Sequence, residues 1–382
     1  MPRHADHRKL AHARASVAVL ALSALGPAAL DAQQPSPGPA EATYWVYVGA
    51  ESADRLDRVR FGPEGITVEK TIPVGFWPTE MEGPHGLAIS RDGRFLHMTT
   101  GHGMPDGMYW KFELGPDTLV GEPVALGRFP ATIDVTPDGL YAFVVNFNLH
   151  GEMVPSSVSV VYTPDNLEVA RTETCVMPHG SRLDPSGTYQ YSACMMDDLV
   201  VELDTRTFEV SRRFRVATGE EGPVAGAGPD HAGMRHDPTC SPTWVQPSAD
   251  GAHLYDACNR SDEILEIDAR AWTLQRRFAT GRGPYNLAVT SDGRLLVATL
   301  KQGAAVQVFD IAAGAATATV PTSTKVAHGV VVSPDSRYAF ISIEGIGAEP
   351  GKVDVIDLSA LQRVASAEVG QQAGGIAFWK MR

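Results

Sequence analysis

One short pattern recurs six times along this chain of 382 residues: a proline or small residue, an alternating apolar run, a Pro/Ser-Asp-Gly type of turn, then a second run rich in Tyr, Phe and Val. The copies run from Pro84-His85-Gly86 to Asp92-Gly93, Pro130-Ala131 to Asp138-Gly139, Pro178-His179-Gly180 to Ser186-Gly187, Pro242-Thr243-Trp244 to Asp250-Gly251, Pro284-Tyr285 to Asp292-Gly293, and Ala327-His328-Gly329 to Asp335-Ser336. Asp-Gly between two alternating runs marks a β-hairpin, because Gly accepts the positive φ that such turns need.

A second hairpin follows, opened by runs such as Leu199 to Asp204, Ile264 to Asp268, Val306 to Asp310 and Val353 to Asp357. Each repeat therefore holds four antiparallel strands. Its period of about 42 to 48 residues, with one longer interval, is that of propeller blades. At the N-terminal end, Tyr44–Gly49, Leu56–Phe61 and Ile66–Val74 read as second, third and fourth strands lacking a first; at the C-terminal end, Gly374–Phe378 reads as a first strand alone. Joined, they make a seventh blade, so the expected fold is an all-β, seven-bladed propeller closed by its C-terminal innermost strand. Closure leaves no terminal sheet edge unpaired.

Ahead of the repeats, a basic stretch with Arg3, Arg8, Lys9 and Arg14 precedes an apolar run from Ala15 to Leu30 and then Asp31-Ala32. This is the layout of a secretory signal peptide, too short and too broken at Gly26-Pro27 for a membrane span. The expected organisation is a signal peptide over 1–32, a disordered lead-in over 33–42 and one propeller domain over 43–382, periplasmic or secreted. Loss of the signal removes four basic and two acidic residues from a formal charge of −13, leaving −15. Nucleic acid and anionic lipid are poor partners for such a surface. A soluble monomer is expected.

The segments Gly283-Pro284-Tyr285-Asn286-Leu287-Ala288-Val289-Thr290-Ser291-Asp292-Gly293 and Val330 to Ser342 resemble the YVTN-repeat, YncE-like propellers, and more distantly the lactonase and nitrous-oxide-reductase propellers. The resemblance covers nearly the whole chain after the signal and implies the fold. It leaves activity open, since such propellers include binders, scaffolds and several enzyme types.

Aligned on the turn residue, His85, His179 and His328 share one register, seven residues before it, at the start of the innermost strand. That is the mouth of the central channel. His102 and His150 fall on connections between second and third strands, and His231 and His236 in the Gly-rich insertion from Gly219 to Thr239. All belong to one face; His97 and His253 are assigned elsewhere. Met81, Met104, Met108, Met177, Met195, Met196 and Met234 crowd the same side. Cys175 and Cys240 precede innermost strands while Cys194 and Cys258 end second strands. Within-blade disulfides Cys175–Cys194 and Cys240–Cys258 are the expected pairing of the three that four cysteines allow, and export favours them.

Neutral imidazoles are common metal ligands. With methionine nearby, copper is the first metal expected, then zinc or iron. The competing reading is that His-Gly merely suits tight entry into a strand, or that the face contacts an ordinary polar ligand. A second class is an enzyme, a metal-dependent oxidoreductase or a lactone hydrolase, with Glu82 or a histidine beside His85 as general base. A third is a scaffold for another exported protein. The Asp residues closing third strands (Asp204, Asp268, Asp310, Asp357) are expected to cap turns. Gly222 to Gly228 lacks the strand-to-helix setting of a phosphate loop, and no Gly-x-Ser-x-Gly, His-Glu-x-x-His or Cys-x-x-Cys-His motif is present.

Overall fold

Alternation of apolar and polar residues over six to ten positions, cut by Asp-Gly turns, can bury one face of a strand while the other meets the next sheet or solvent. In the computed structural model, which describes residues 40–76, 79–101, 106–225 and 237–382, these runs form seven antiparallel sheets of a β-propeller. Blades 1 to 7 are counted by their innermost strands: Pro84–Ile89, Pro130–Val135, Pro178–Leu183, Pro242–Pro247, Pro284–Val289, Ala327–Val332 and Ala373–Met381. Blades 1 and 3 each add a two-residue strand, Val124–Ala125 and Gly222–Pro223.

Blade 7 is composite. Its innermost strand comes from the C-terminus and pairs antiparallel with Tyr44–Ala50, from Tyr44↔Met381 to Ala50↔Ala373. Outer strands alternate in exposure, as in Thr273–Ala279, whereas second strands such as Tyr338–Ile343 are buried throughout. Apolar side chains meet between blades. Tyr191, Val200 and Phe214 of blade 3 pack on Val245, Leu254, Leu265 and Trp272 of blade 4, and Tyr338, Phe340 and Val355 of blade 6 pack on Tyr44, Val46 and Val59 of blade 7.

The recurring turn explains its own sequence. In blade 1, Ser90 Oγ donates to Asp92 Oδ1 (2.6 Å), the Arg94 amide donates to the same oxygen (3.0 Å), and Gly93 carries φ +70°. The same bonds recur at Thr136/Asp138, Ser248/Asp250, Thr290/Asp292 and Ser333/Asp335. The Asp residues that end third strands cap the following turn, Asp268 for instance accepting the Arg270 and Ala271 amides at 2.9 and 2.6 Å.

Two disulfides tie the crossovers between blades. Cys240 and Cys258 are bonded at a Cα separation of 4.4 Å, close to Pro242↔Cys258 at the start of blade 4. Cys175 bonds Cys194 at 6.0 Å, but Cys175 belongs to the outer strand Leu167–Val176 of blade 2. That bond therefore joins neighbouring blades, not two strands of one blade. The outer strand simply runs further towards the channel face than its sequence pattern suggests. Among the described residues no helix is long and apolar enough to cross a membrane.

Candidate functional site

The seven innermost strands each begin the same way. The residue before the strand takes a positive φ, at Gly83, Phe129, Met177, Ser241, Gly283, Val326 and Gln372. Where the second strand residue is histidine, the ladder then skips it: pairing jumps from Pro84 to Leu87, from Pro178 to Ser181 and from Ala327 to Val330. Bulges of this kind re-aim side chains. Here they turn the second residue of each strand towards the axis, and around the ring that position holds His85, Ala131, His179, Thr243, Tyr285, His328 and Gly374. Large residues are separated by small ones, except where Tyr285 adjoins His328.

The large rings fill the gaps left by Ala131, Thr243 and Gly374. Centroid distances are 6.1 Å for His85–His179, 5.3 Å for His179–Tyr285, 4.8 Å for Tyr285–His328 and 5.5 Å for His328–His85. Each imidazole is fixed by the next blade: Nδ1 of His85 bonds the Ala131 carbonyl (2.6 Å), that of His179 the Thr243 carbonyl (2.9 Å), and that of His328 the Gly374 carbonyl (3.1 Å). A carbonyl only accepts, so Nδ1 carries the proton and Nε2 keeps its lone pair. Such backing of the far nitrogen is what orients metal-binding histidines.

The glycine after each histidine permits the approach. A Cβ on Gly180 would stand 2.3 Å from the Thr243 carbonyl oxygen, and one on Gly86 2.9 Å from that of Ala131.

Two carboxylates meet this ring. His85 Nε2 lies 3.8 Å from Glu51 Oε1, and His328 Nε2 lies 3.7 Å from Glu344 Oε1. Donor atoms of Glu51, His85 and His328 all fall within 4.8 Å of one another, and the three residues are buried. Gly374 makes room for the carboxylate, since a Cβ there would stand 2.2 Å from Glu51 Oε1. Lys301 pairs with Glu344 at 2.8 Å and lies 4.1 Å from the Tyr285 ring centre.

His179 is differently occupied. Its Nε2 faces the Tyr285 hydroxyl at 3.1 Å, and with Nδ1 protonated the hydroxyl donates to it. Burial holds the His179 pKa down to about 3, with His85 and Lys301 adding to the effect, and burial followed by Lys301 holds His328 well below the usual range. Both are neutral bases near pH 7.

The structure thus brings together His85, His179 and His328, though only two of the three share donors with Glu51. His150 stacks edge-on to Phe129 at 5.6 Å, and Phe129 in turn to His85 at 5.5 Å, so it sits on the same face but outside the donor group. His102, His231 and His236, with Met104 and Met234, lie outside the described residues. Met177 packs with Phe129, Phe147 and Val176, and Met195 and Met196 pack against them, as apolar side chains. Glu82 bonds the Phe76 amide (2.8 Å), and burial raises its pKa; it takes no part in the Glu51–His85–His328 group.

Glu51, Tyr285, Lys301 and Glu344 are functional candidates beyond those marked from the sequence. Tyr285 stands seven residues before Asp292, the same register as the histidines. Glu51, Lys301 and Glu344 each immediately follow a second strand, Tyr44–Ala50, Leu295–Leu300 and Tyr338–Ile343. Two registers, read together, find the whole cluster.

No family model matches the chain, and none of the curated proteins matches it in sequence. Solved structures do match. Hydrazine synthase of Kuenenia stuttgartiensis is 19% identical, over 79% of this chain and 93% of that one, with a TM-score of 0.60. A protein of unknown function from Desulfotomaculum acetoxidans is 17% identical over 88% and 98%, at 0.66. The periplasmic gluconolactonase of Pseudomonas aeruginosa is 17% identical over 88% and 99%, at 0.68.

The likeness is one of fold. The mouth of the channel gathers residues from every blade, and here the converging residues are of donor type. Beside the ring, the channel holds a small space of about 30 Å³ bordered by His85, Ala131, Arg182, Trp244, Asn286 and His328.

Proposed function

We propose that the protein is an exported propeller, of the YVTN-repeat kind that its sequence resembles, which holds a divalent transition metal at the channel mouth through Glu51, His85 and His328. The observation that carries this reading is the pairing of two imidazoles, each locked with its lone pair on Nε2, with a buried carboxylate whose oxygen is already 3.8 Å from one of them. Ligands of a tetrahedral zinc site stand roughly 3.3 Å apart, so donors that lie within 4.8 Å of one another have to draw together around the ion. Two nitrogens and one oxygen suit zinc or iron better than the sulfur-rich surroundings first expected for copper, since Met177, Met195 and Met196 pack in an apolar cluster. Lys301 is offset by Glu344 and does not repel the ion outright.

Three protein donors leave a coordination position for water or a ligand. This favours a second reading of the same site, hydrolysis of a small ester or lactone by metal-activated water, in keeping with the gluconolactonase among the structural neighbours. The apolar-broken leader over 1–32 and the two disulfides support export.

Equilibrium dialysis of untagged protein with elemental analysis tests the metal. One equivalent of zinc or iron per chain is expected, with affinity lowered roughly tenfold or more by Glu51→Gln, His85→Ala or His328→Ala and little changed by His179→Ala. Sub-stoichiometric metal, indifferent to the first three variants, would overturn the reading. Turnover of a lactone panel, lost in His85→Ala and absent without metal, separates the hydrolase from the simple binder.

A further inference from the structure

The space beside the ring carries polar groups that the fold leaves unused. Trp244, in the innermost strand of blade 4, is 5% exposed, and its indole N–H has no partner among the described residues. Asn286, in blade 5, is 4% exposed and its Oδ1 is likewise unpartnered. Arg182 lies over the Trp244 ring, its guanidinium 4.5 Å from the centroid, and its one hydrogen bond among the described residues goes to the Ser181 carbonyl (2.9 Å). All three border the channel space that also touches His85 and His328.

Each of these groups is costly to bury unpaired, a charge more than a neutral donor or acceptor. Asp134 acts on Arg182 electrostatically, but its Oδ1 and Oδ2 accept the backbone amides of Val135 and Leu183, each at 2.9 Å. The five N–H donors of a guanidinium form a fork suited to a carboxylate, and the fork is mostly open here.

We propose that Arg182 and the Trp244 indole N–H bind a small carboxylate in the channel space that also touches His85 and His328. The proposal deepens the reading of the channel as a metal-dependent site and rests on it for charge. Lys301 is offset by Glu344, Arg182 by Asp134, and Glu51 leaves a divalent ion with one positive charge. A monocarboxylate neutralises that charge, whereas a phosphate dianion overshoots it. The space is about 30 Å³, so the ligand is a carboxylate of one or two carbons.

Isothermal titration of the protein, metal-loaded and metal-free, with formate, acetate and hexanoate and with methyl formate and methyl acetate tests this. Formate and acetate should bind at least tenfold more tightly than the esters and than hexanoate, which is too large for the space. Arg182→Gln should lower acid affinity at least tenfold while leaving bound metal unchanged. Equal binding of acid and ester, full acid binding by Arg182→Gln, or no binding of any acid would overturn the proposal. The acid–ester comparison needs no variant, so it stands even if Arg182→Gln fails to fold. Failure of the metal reading is seen separately: metal is then sub-stoichiometric, and acid binding is the same with and without added ion.

Discussion

A histidine in this protein is defined by what holds its ring. His85, His179 and His328 give Nδ1 to a neighbouring carbonyl, whereas His97, away from the channel, meets the Tyr109 hydroxyl through Nδ1 at 2.8 Å. Burial, with Lys111 adding to it and Asp92 opposing it, lowers the His97 pKa to about 3. The consequence for stability has a definite sign. The unfolded chain takes up a proton near pH 6.5, the folded protein only near 3, so stability is lost as pH falls through that window, by about 1.4 kcal/mol per pH unit for each such histidine. Buried Asp256, whose pKa burial raises, works in the opposite direction at low pH. Urea unfolding between pH 6 and 4 should show His97→Asn losing about 1.4 kcal/mol less per pH unit than the native protein. Parallel slopes would mean that His97 is protonated in the fold.

The element that makes the site is the entry into the innermost strand. A left-handed residue, a bulge and a glycine together bring one blade's backbone against the next, and the imidazole follows. Gly180→Ala tests this arrangement, because the added methyl would stand 2.3 Å from the Thr243 carbonyl oxygen and 2.5 Å from Trp244 Cα. Backbone cannot yield as a side-chain tip does. A loss of about 1–3 kcal/mol or more is expected in chemical denaturation, together with weakening of the His179–Thr243 bond. An unchanged midpoint would show that the strand entry is softer than its geometry implies. The disulfides serve the same crossovers: Cys175–Cys194 and Cys240–Cys258 close loops of 19 and 18 residues beside the entries to blades 3 and 4.

For the whole molecule, the ring depends on residues more than 300 positions apart. Ala373–Met381 pairs with Tyr44–Ala50, Gly370 donates to Asp57 at 2.7 Å, and Gln372 Nε2 donates to Glu51 at 3.1 Å. Glu51 thus reaches His85 only in a closed ring. Deleting residues 373–382 should leave the Tyr44–Ala50 edge open and yield aggregates instead of one species, as light scattering after size exclusion would show. A monodisperse truncation with native melting would mean that six blades and a remnant suffice. Hairpins, their turns and their sevenfold count were legible in the chain because each rests on local rules: alternation of period two and Gly or Asp at turns. The common register of His85, His179 and His328 was legible for the same reason, since a repeat carries its coordinates with it. The partners of those histidines were not. Glu51 is acidic and follows a strand like many others, Tyr285 passes for core, and the division of labour between His179 and His328 depends on which small residue stands in the adjoining blade. Repetition along a chain specifies what each blade looks like; which side chains touch across the axis is set by closure, where contacts between remote segments form at distances that no local pattern encodes.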